Sequence, residues 1–389
     1  MLRSFSKDFS LNAVIAAILA LTVSYAGSAV IIFQAARSAG LSPELTTSWI
    51  WAVSIGSGLT GLILSWKLKN PIATAWSTPG AALLVTVLPK ISYQEAIGAY
   101  IVSALIITVI GLTGSLDKIM KHLPAAVSAG MFAGILFGFG AKLFSAVPEH
   151  PLLVGVMFAV FIVVRRFFPR FAVVAAICAG ILIIALSNGF IAQDFNFAFA
   201  RPVFTFPAWS LTSIISVALP LTLVTLTGQY IAGLAVLKAS GYQVKTRPVM
   251  TVTGIASLLL APFGAHAINL ASLTAGICAG PEAHEQPERR YIAGIILGVL
   301  YLVIGLFGQT IVSLFSSFPA AFIAALAGLA LIATFATALR GMINDSGNLE
   351  SGIIAFLVTA SGMSFLGLSA PFWGIALGGV AYLILRKRT

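Results

Sequence analysis

The chain has 389 residues, of which 59% are hydrophobic and only 8% charged, against about 25% charged in an ordinary soluble domain. Continuous apolar runs near the roughly 20 residues that cross a bilayer recur from end to end, which excludes a soluble core. The ten-residue alternation of barrel strands is absent, so helices are left to satisfy the backbone in lipid.

Taken in chain order, the runs predict an all-α membrane protein of fourteen segments, near 12–36, 48–66, 72–88, 96–115, 123–145, 152–164, 171–189, 211–237, 248–261, 263–279, 291–313, 319–339, 352–367 and 371–385. The run after Asn12 reads as a first span and not as a cleavable signal. With the N-terminus in the cytoplasm, alternation puts 18 of the 22 Lys and Arg on the cytoplasmic side and leaves Arg37, Lys90, Lys142 and Arg201 opposite. That bias supports both the orientation and the segment count, and both termini are expected in the cytoplasm. The same scatter of single basic residues accounts for the net charge of +11 without a nucleic-acid partner.

The two halves share landmarks. Gly27 and Gly40 in the first segment and its exit are spaced like Gly228 and Gly241 in the eighth, and LPAAVSAGMFAGI from Leu123 matches FPAAFIAALAGLA from Phe318, with offsets of 201 and 195 residues. Seven segments per half is an odd number, so the second half enters from the opposite side and the repeats are inverted. We therefore expect repeats at 1–190 and 208–389. Glycines four apart, Gly130 with Gly134 and Gly138, Gly294 with Gly298, and Gly374 with Gly378, predict close helix packing. Cys178 and Cys278 lie in apolar segments without metal-ligand spacing and read as small core residues.

Segments three and ten are broken. In TAWSTPGAALLVT, Pro71 and Pro79 bracket the polar Trp76-Ser77-Thr78, so Thr78 is the expected cap of a half-helix that starts at Pro79 and runs to about Leu88. In FGAHAINLASLTAGIC, Asn269 is the expected cap of a helix from Leu270. Two opposed helix N-termini near the midplane suit an anion. Gln229 in the eighth segment and Tyr25 at the equivalent place in the first add polar groups. His266, the only histidine in a membrane segment, is the candidate for proton transfer. None of the eleven Asp and Glu falls at the centre of a segment, and no nucleophile, metal set or carboxylate pair is visible, so no enzyme, metal or cofactor is expected.

TAWSTPGAALLVT, the Gln229 segment, HAIN with the following LASLTAGIC, and PEAH at 281–284 together resemble the benzoate:proton symporter (BenE) family over nearly the whole chain. The resemblance implies the fold of the uracil transporters and sulfate/anion exchangers, with a core formed by 8–116 and 208–314 and a gate by 123–190 and 319–389. It implies proton-coupled uptake of benzoate or a related aromatic carboxylate across the inner membrane by alternating access, with a homodimer as the candidate assembly. The substrate would touch Tyr25, Ser77, Thr78, Gln229, His266 and Asn269, with an aromatic wall drawn from Tyr25, Trp76, Phe263 and Tyr230. Uracil-type relatives carry carboxylates where this chain has Gln229 and Asn269, which favours a ligand that brings its own negative charge. An inorganic-anion exchanger or channel, or a nucleobase transporter, on the same fold is the alternative. The PEAH loop is not expected in the site.

Overall fold

The computed structural model describes residues 8–122, 124–187 and 197–385. Sequence expectations that rest on Arg3, Lys7, Leu123, residues 188–190 and Arg386, Lys387 and Arg388 lie outside the described residues. The first half holds α1 (Leu11–Ser38), α2 (Pro43–Leu68), β1 (Thr74–Trp76), α3 (Thr78–Val87), α4 (Tyr93–Thr113), α5 (Ala125–Ser145), α6 (Pro151–Phe167) and α7 (Ala172–Leu186). The second holds α8 (Leu211–Ala239), α9 (Thr246–Leu260), β2 (Ile268–Leu270), α10 (Leu273–Ala279), α11 (Tyr291–Leu306), α12 (Ala320–Asn344), α13 (Leu349–Ala360) and α14 (Ala370–Leu385). Two further short helices, Leu116–His122 and Gly308–Ser316, follow α4 and α11 in the chain. Among the described residues, eight helices are long and apolar enough to cross a membrane. The chain is a multi-pass, helical membrane protein.

Local sequence sets the helix ends. Ser42 accepts the Leu45 N–H and Pro43 occupies the first turn of α2, while Lys69 closes that helix in the left-handed region at φ 53°. Ser92 and Glu95 form a reciprocal capping box at the start of α4, and Gly114 ends it with φ 69°. Two helices carry wider, π-helical turns inside them, at Ser24–Ala29 in α1 and at Ile214–Ala218 and Leu226–Ile231 in α8; the first and last of these matter for the site. Those two hold Tyr25 and Gln229 respectively. Such turns arise where one extra residue is accommodated in a helix, and they are common at functional sites.

The two broken segments meet. β1 pairs antiparallel with β2, with Thr74 opposite Leu270, Ala75 opposite Asn269 and Trp76 opposite Ile268. The ribbon extends by Ser77 N–H to Ala267 O at 3.1 Å and Ala271 N–H to Ala73 O at 2.9 Å. Non-helical backbone inside a membrane protein must find every partner within the protein. Hydroxyls from flanking helices supply them on both sides. In α2, Ser65 bonds both the N–H and the C=O of Ile72, and the Ser57 carbonyl takes the Thr74 hydroxyl at 2.6 Å. In α9, Ser257 accepts the Ile268 N–H at 2.7 Å and donates to the Ile268 carbonyl.

Two expectations about these segments are corrected. The cap of α3 is Ser77, whose Oγ accepts the Gly80 N–H at 3.0 Å; Thr78 is the first helical residue and Pro79 the second. Asn269 caps nothing, because its backbone and that of Leu270 belong to β2, and α10 starts only at Leu273. In the second case strand pairing takes the backbone groups that a local reading assigns to a helix, whereas in the first the helix begins one residue earlier than expected.

Packing divides the helices into two groups. α2 lies along α11 and α4 along α9, with α3 and α10 held between α1 and α8. Separately, α5 lies along α12 and α13, α13 along α14, and α6 along α7. Small residues make these contacts close. A Cβ on Gly298 would fall 2.8 Å from the Gly58 carbonyl oxygen, so α2 and α11 touch backbone to backbone. Gly138 differs from its neighbours in the stripe, since nothing lies within 4 Å of a Cβ placed there. Cys278 is buried as expected, but Cys178 is exposed on the outer face of α7, where an apolar residue faces lipid instead of a core.

Candidate functional site

A cavity of about 120 Å³ opens at the junction of the two groups. Its walls come from the wide turns of α1 and α8, from the broken segments, and from α12 on the far side. The side chains that give it chemical character are Ser24, Trp76, Thr78, Gln229, Ser272 and Thr274, faced by Leu331 and Thr334 of α12. Among the described residues, no Asp, Glu, Lys, Arg or His lines it. Gly228 admits α3 to this place, because a Cβ there would lie 2.9 Å from Pro79 Cγ.

The predicted site residues divide into two layers. Thr78 and Gln229 line the cavity, and Gln229, 6% exposed as a residue, makes no side-chain hydrogen bond among the described residues. Ser77, His266 and Asn269 stand behind the wall and hold it in place. The Ser77 hydroxyl accepts from Gly80 N–H and from the Thr225 hydroxyl at 2.9 Å, so it is committed to joining α3 to α8. Turned so that its nitrogen faces the Leu270 carbonyl at 3.2 Å, the Asn269 amide places its oxygen 3.0 Å from the Ser77 N–H, which it then shares with Ala267 O.

His266 is bonded on both ring nitrogens. Trp49 Nε1 lies 3.0 Å from Nδ1, and Nε2 lies 3.0 Å from the Ser77 carbonyl oxygen. An indole N–H can only donate, so Nδ1 carries a lone pair, the proton sits on Nε2, and the ring is neutral in this arrangement. The histidine thereby ties α2, through Trp49, to the residue that caps α3.

The aromatic residues also separate. The Tyr25 ring meets Trp76 edge-on, with centroids 5.3 Å apart. Its hydroxyl donates to Ser54 Oγ at 2.5 Å, since Ser54 gives its own proton to Ile50 O. Tyr301 closes the cluster, 5.9 Å from Trp76, and donates to Ser24 Oγ at 2.6 Å. Tyr230 points the other way and bonds Thr253 at 2.6 Å, while Phe263 packs on Trp51 and Phe204. Neither lines the cavity. The PEAH segment lies outside the cavity as well, where the Arg290 guanidinium clamps its loop by bonding the carbonyls of Ala279, His284 and Glu285.

Sequence reasoning missed Ser24, Ser272 and Thr274 and placed Trp76 only in an aromatic wall. Thr274 sits in an Ala/Gly-rich run that reads as an ordinary helix, and nothing local shows that it reaches the cavity wall.

Comparison with solved structures supports the fold. The transmembrane domain of the cyanobacterial bicarbonate transporter BicA matches with a TM-score of 0.57 at 14% identity, covering 97% of each chain. SLC26A9 matches with a TM-score of 0.60 at 13% identity, covering 98% of this chain and 67% of that one. At the sequence level the chain is 45% identical to the benzoate membrane transport protein of Acinetobacter baylyi (strain ATCC 33305 / BD413 / ADP1), over 100% of this chain and 98% of the relative. It is 38% identical to the inner membrane protein YdcO of Escherichia coli (strain K12), over 95% of both. The family whose description is "benzoate membrane transport protein" matches residues 7–384, and the chain belongs to this family, BenE.

Proposed function

We propose that the protein takes up benzoate or a related aromatic carboxylate across the inner membrane, coupled to protons, by alternating access. The observation that carries this reading is the cavity where the broken segments cross, lined by neutral hydrogen-bonding groups and aromatic surface and free of carboxylates. A carboxylate ligand supplies the charge that such a site lacks. The name and the 45% identity of the Acinetobacter relative point to the same substrate.

In this reading fourteen segments form two inverted repeats, 1–190 and 208–389, and both termini face the cytoplasm. The two packing groups support a division into a core of 8–116 and 208–314 and a gate of 123–190 and 319–389. The substrate lies between the start of α3 and the loop before α10, against the wide turn of α8. Core residues form most of its wall and α12 of the gate forms the rest, so movement of one group against the other opens the cavity to each side in turn. Tyr25, Ser77 and Asn269 act by holding that wall, and Thr78 and Gln229 by touching the ligand. His266 couples to protons through a second state in which Trp49 releases Nδ1.

Counterflow tests the reading. Proteoliposomes loaded with unlabelled benzoate should concentrate labelled benzoate at about pH 8, some four units above an ordinary carboxylate pKa, where little neutral acid leaks through lipid. Counterflow with sulfate or uracil and none with benzoate would refute the substrate. Gln229→Leu keeps the side-chain bulk and removes the amide. It should weaken benzoate binding by about tenfold while leaving the melting temperature of the unliganded protein close to wild type.

A further inference from the structure

Among the described residues, seven buried side-chain N or O atoms have no hydrogen-bond partner: those of Gln34, Ser57, Trp76, Tyr93, Tyr100, Thr274 and Thr359. Buried polar groups are rarely left unpaired, so each such atom asks for a reason. Only two of the seven belong to residues that line the central cavity, Trp76 and Thr274. They come from the two broken segments, Trp76 from β1 and Thr274 from the first turn of α10. Both are almost fully buried, at 1% and 4% exposure.

We propose that Trp76 Nε1–H and the Thr274 hydroxyl are substrate ligands that donate to the two oxygens of a bound carboxylate. The indole N–H is a donor only, and an ionised carboxylate is an acceptor only, so the pair matches without a proton having to move. A threonine hydroxyl rotates freely and completes the match by donating too. Charge-assisted hydrogen bonds of this kind are stronger than neutral ones, and the cavity holds no cationic side chain to replace them. Trp76 lies in the β1–β2 ribbon, and Thr274 lies in the helix that begins three residues beyond β2, so the same pairing brings the two broken segments side by side. The Trp76 ring, edge-on to Tyr25 and Tyr301, then offers aromatic surface beside the carboxylate it binds.

This assignment rests on the carboxylate reading above, and the test separates the two. Trp76→Phe keeps the aromatic surface and removes the N–H; Thr274→Val removes the hydroxyl at constant shape; Thr274→Ser restores it. Each purified variant and the wild type are titrated with benzoate, acetate and bicarbonate, with the unliganded melting temperature as the control for folding. We expect Trp76→Phe and Thr274→Val each to raise the benzoate Kd by about tenfold and Thr274→Ser to stay within about twofold of wild type. Wild-type affinity for benzoate in both the Phe and Val variants would overturn the donor assignment while leaving the substrate intact. Binding of acetate or bicarbonate but not benzoate, weakened in the same variants, would keep the donors and refute the aromatic substrate. A wild type that binds none of the three anions would refute both.

Discussion

His266→Ala is expected to destabilise the protein by about 1–3 kcal/mol, the cost of one unmet buried group, because it strands the Trp49 N–H while the Ser77 carbonyl keeps the Ala81 N–H at 2.8 Å. The two ring bonds it removes are short and buried. The informative partner is His266→Gln, whose amide can accept from Trp49 through its oxygen and donate to Ser77 O through its nitrogen. That variant should fold and bind benzoate, since it rebuilds the link from α2 to the cap of α3. It cannot take up a proton at neutral pH. If His266 carries the coupled proton, His266→Gln flattens the pH dependence of uptake while binding survives. Unchanged pH dependence in His266→Gln would assign the proton to the carboxylate itself and leave the histidine as a neutral strut.

The second large effect concerns packing. Gly298→Val should lower the melting temperature in detergent by the equivalent of about 1–3 kcal/mol or more, because overpacking forces backbone apart. A Cβ at 298 meets the Gly58 carbonyl oxygen at 2.8 Å and the Leu62 nitrogen at 2.9 Å, neither of which can rotate away. Gly138→Ala is the control. Its added Cβ meets nothing within 4 Å, and alanine favours the helix by up to about 1 kcal/mol, so the variant should be neutral or slightly more stable. Equal losses from both substitutions would mean that the contact of α2 with α11 is not the limiting one.

The contrast between these glycines shows what the sequence can reveal. A stripe of small residues identifies a face able to approach another helix, and Gly130 and Gly134 do pack closely on α13. The stripe does not say where the partner ends, so Gly138 looks the same in sequence and is open in the fold. Helix identity was legible for a physical reason: a bilayer demands apolar length, and the run expected at 12–36 is the helix Leu11–Ser38. Lipid-facing and core-facing positions were less legible because both are apolar, which is why Cys178 falls outside and Cys278 inside.

The candidate site was partly legible. Proline and polar residues marked both broken segments, and Gln229 and Thr78 were found from polarity within apolar runs. The strand pairing was not, because three-residue strands have no periodicity of their own and exist only where their partner is brought beside them. That pairing withdrew Asn269 from capping, while the cap of α3 fell to Ser77 because its hydroxyl and not that of Thr78 accepts the first-turn N–H. The wide turns at Tyr25 and Gln229 leave no composition signal, yet they bring Ser24 and Gln229 to the cavity wall. His266 was found because an ionisable group in a span stands out, while its double bonding depends on Trp49, 217 positions away in sequence.

The most direct test of the account is ligand-induced stabilisation of the purified protein by benzoate, uracil and sulfate, each at about 100 times the dissociation constant expected for a true substrate. Binding to the folded state alone should then add roughly 2.7 kcal/mol, a clear upward shift of the melting temperature. The account predicts this shift with benzoate and not with uracil or sulfate. A shift with uracil or sulfate and none with benzoate would contradict it.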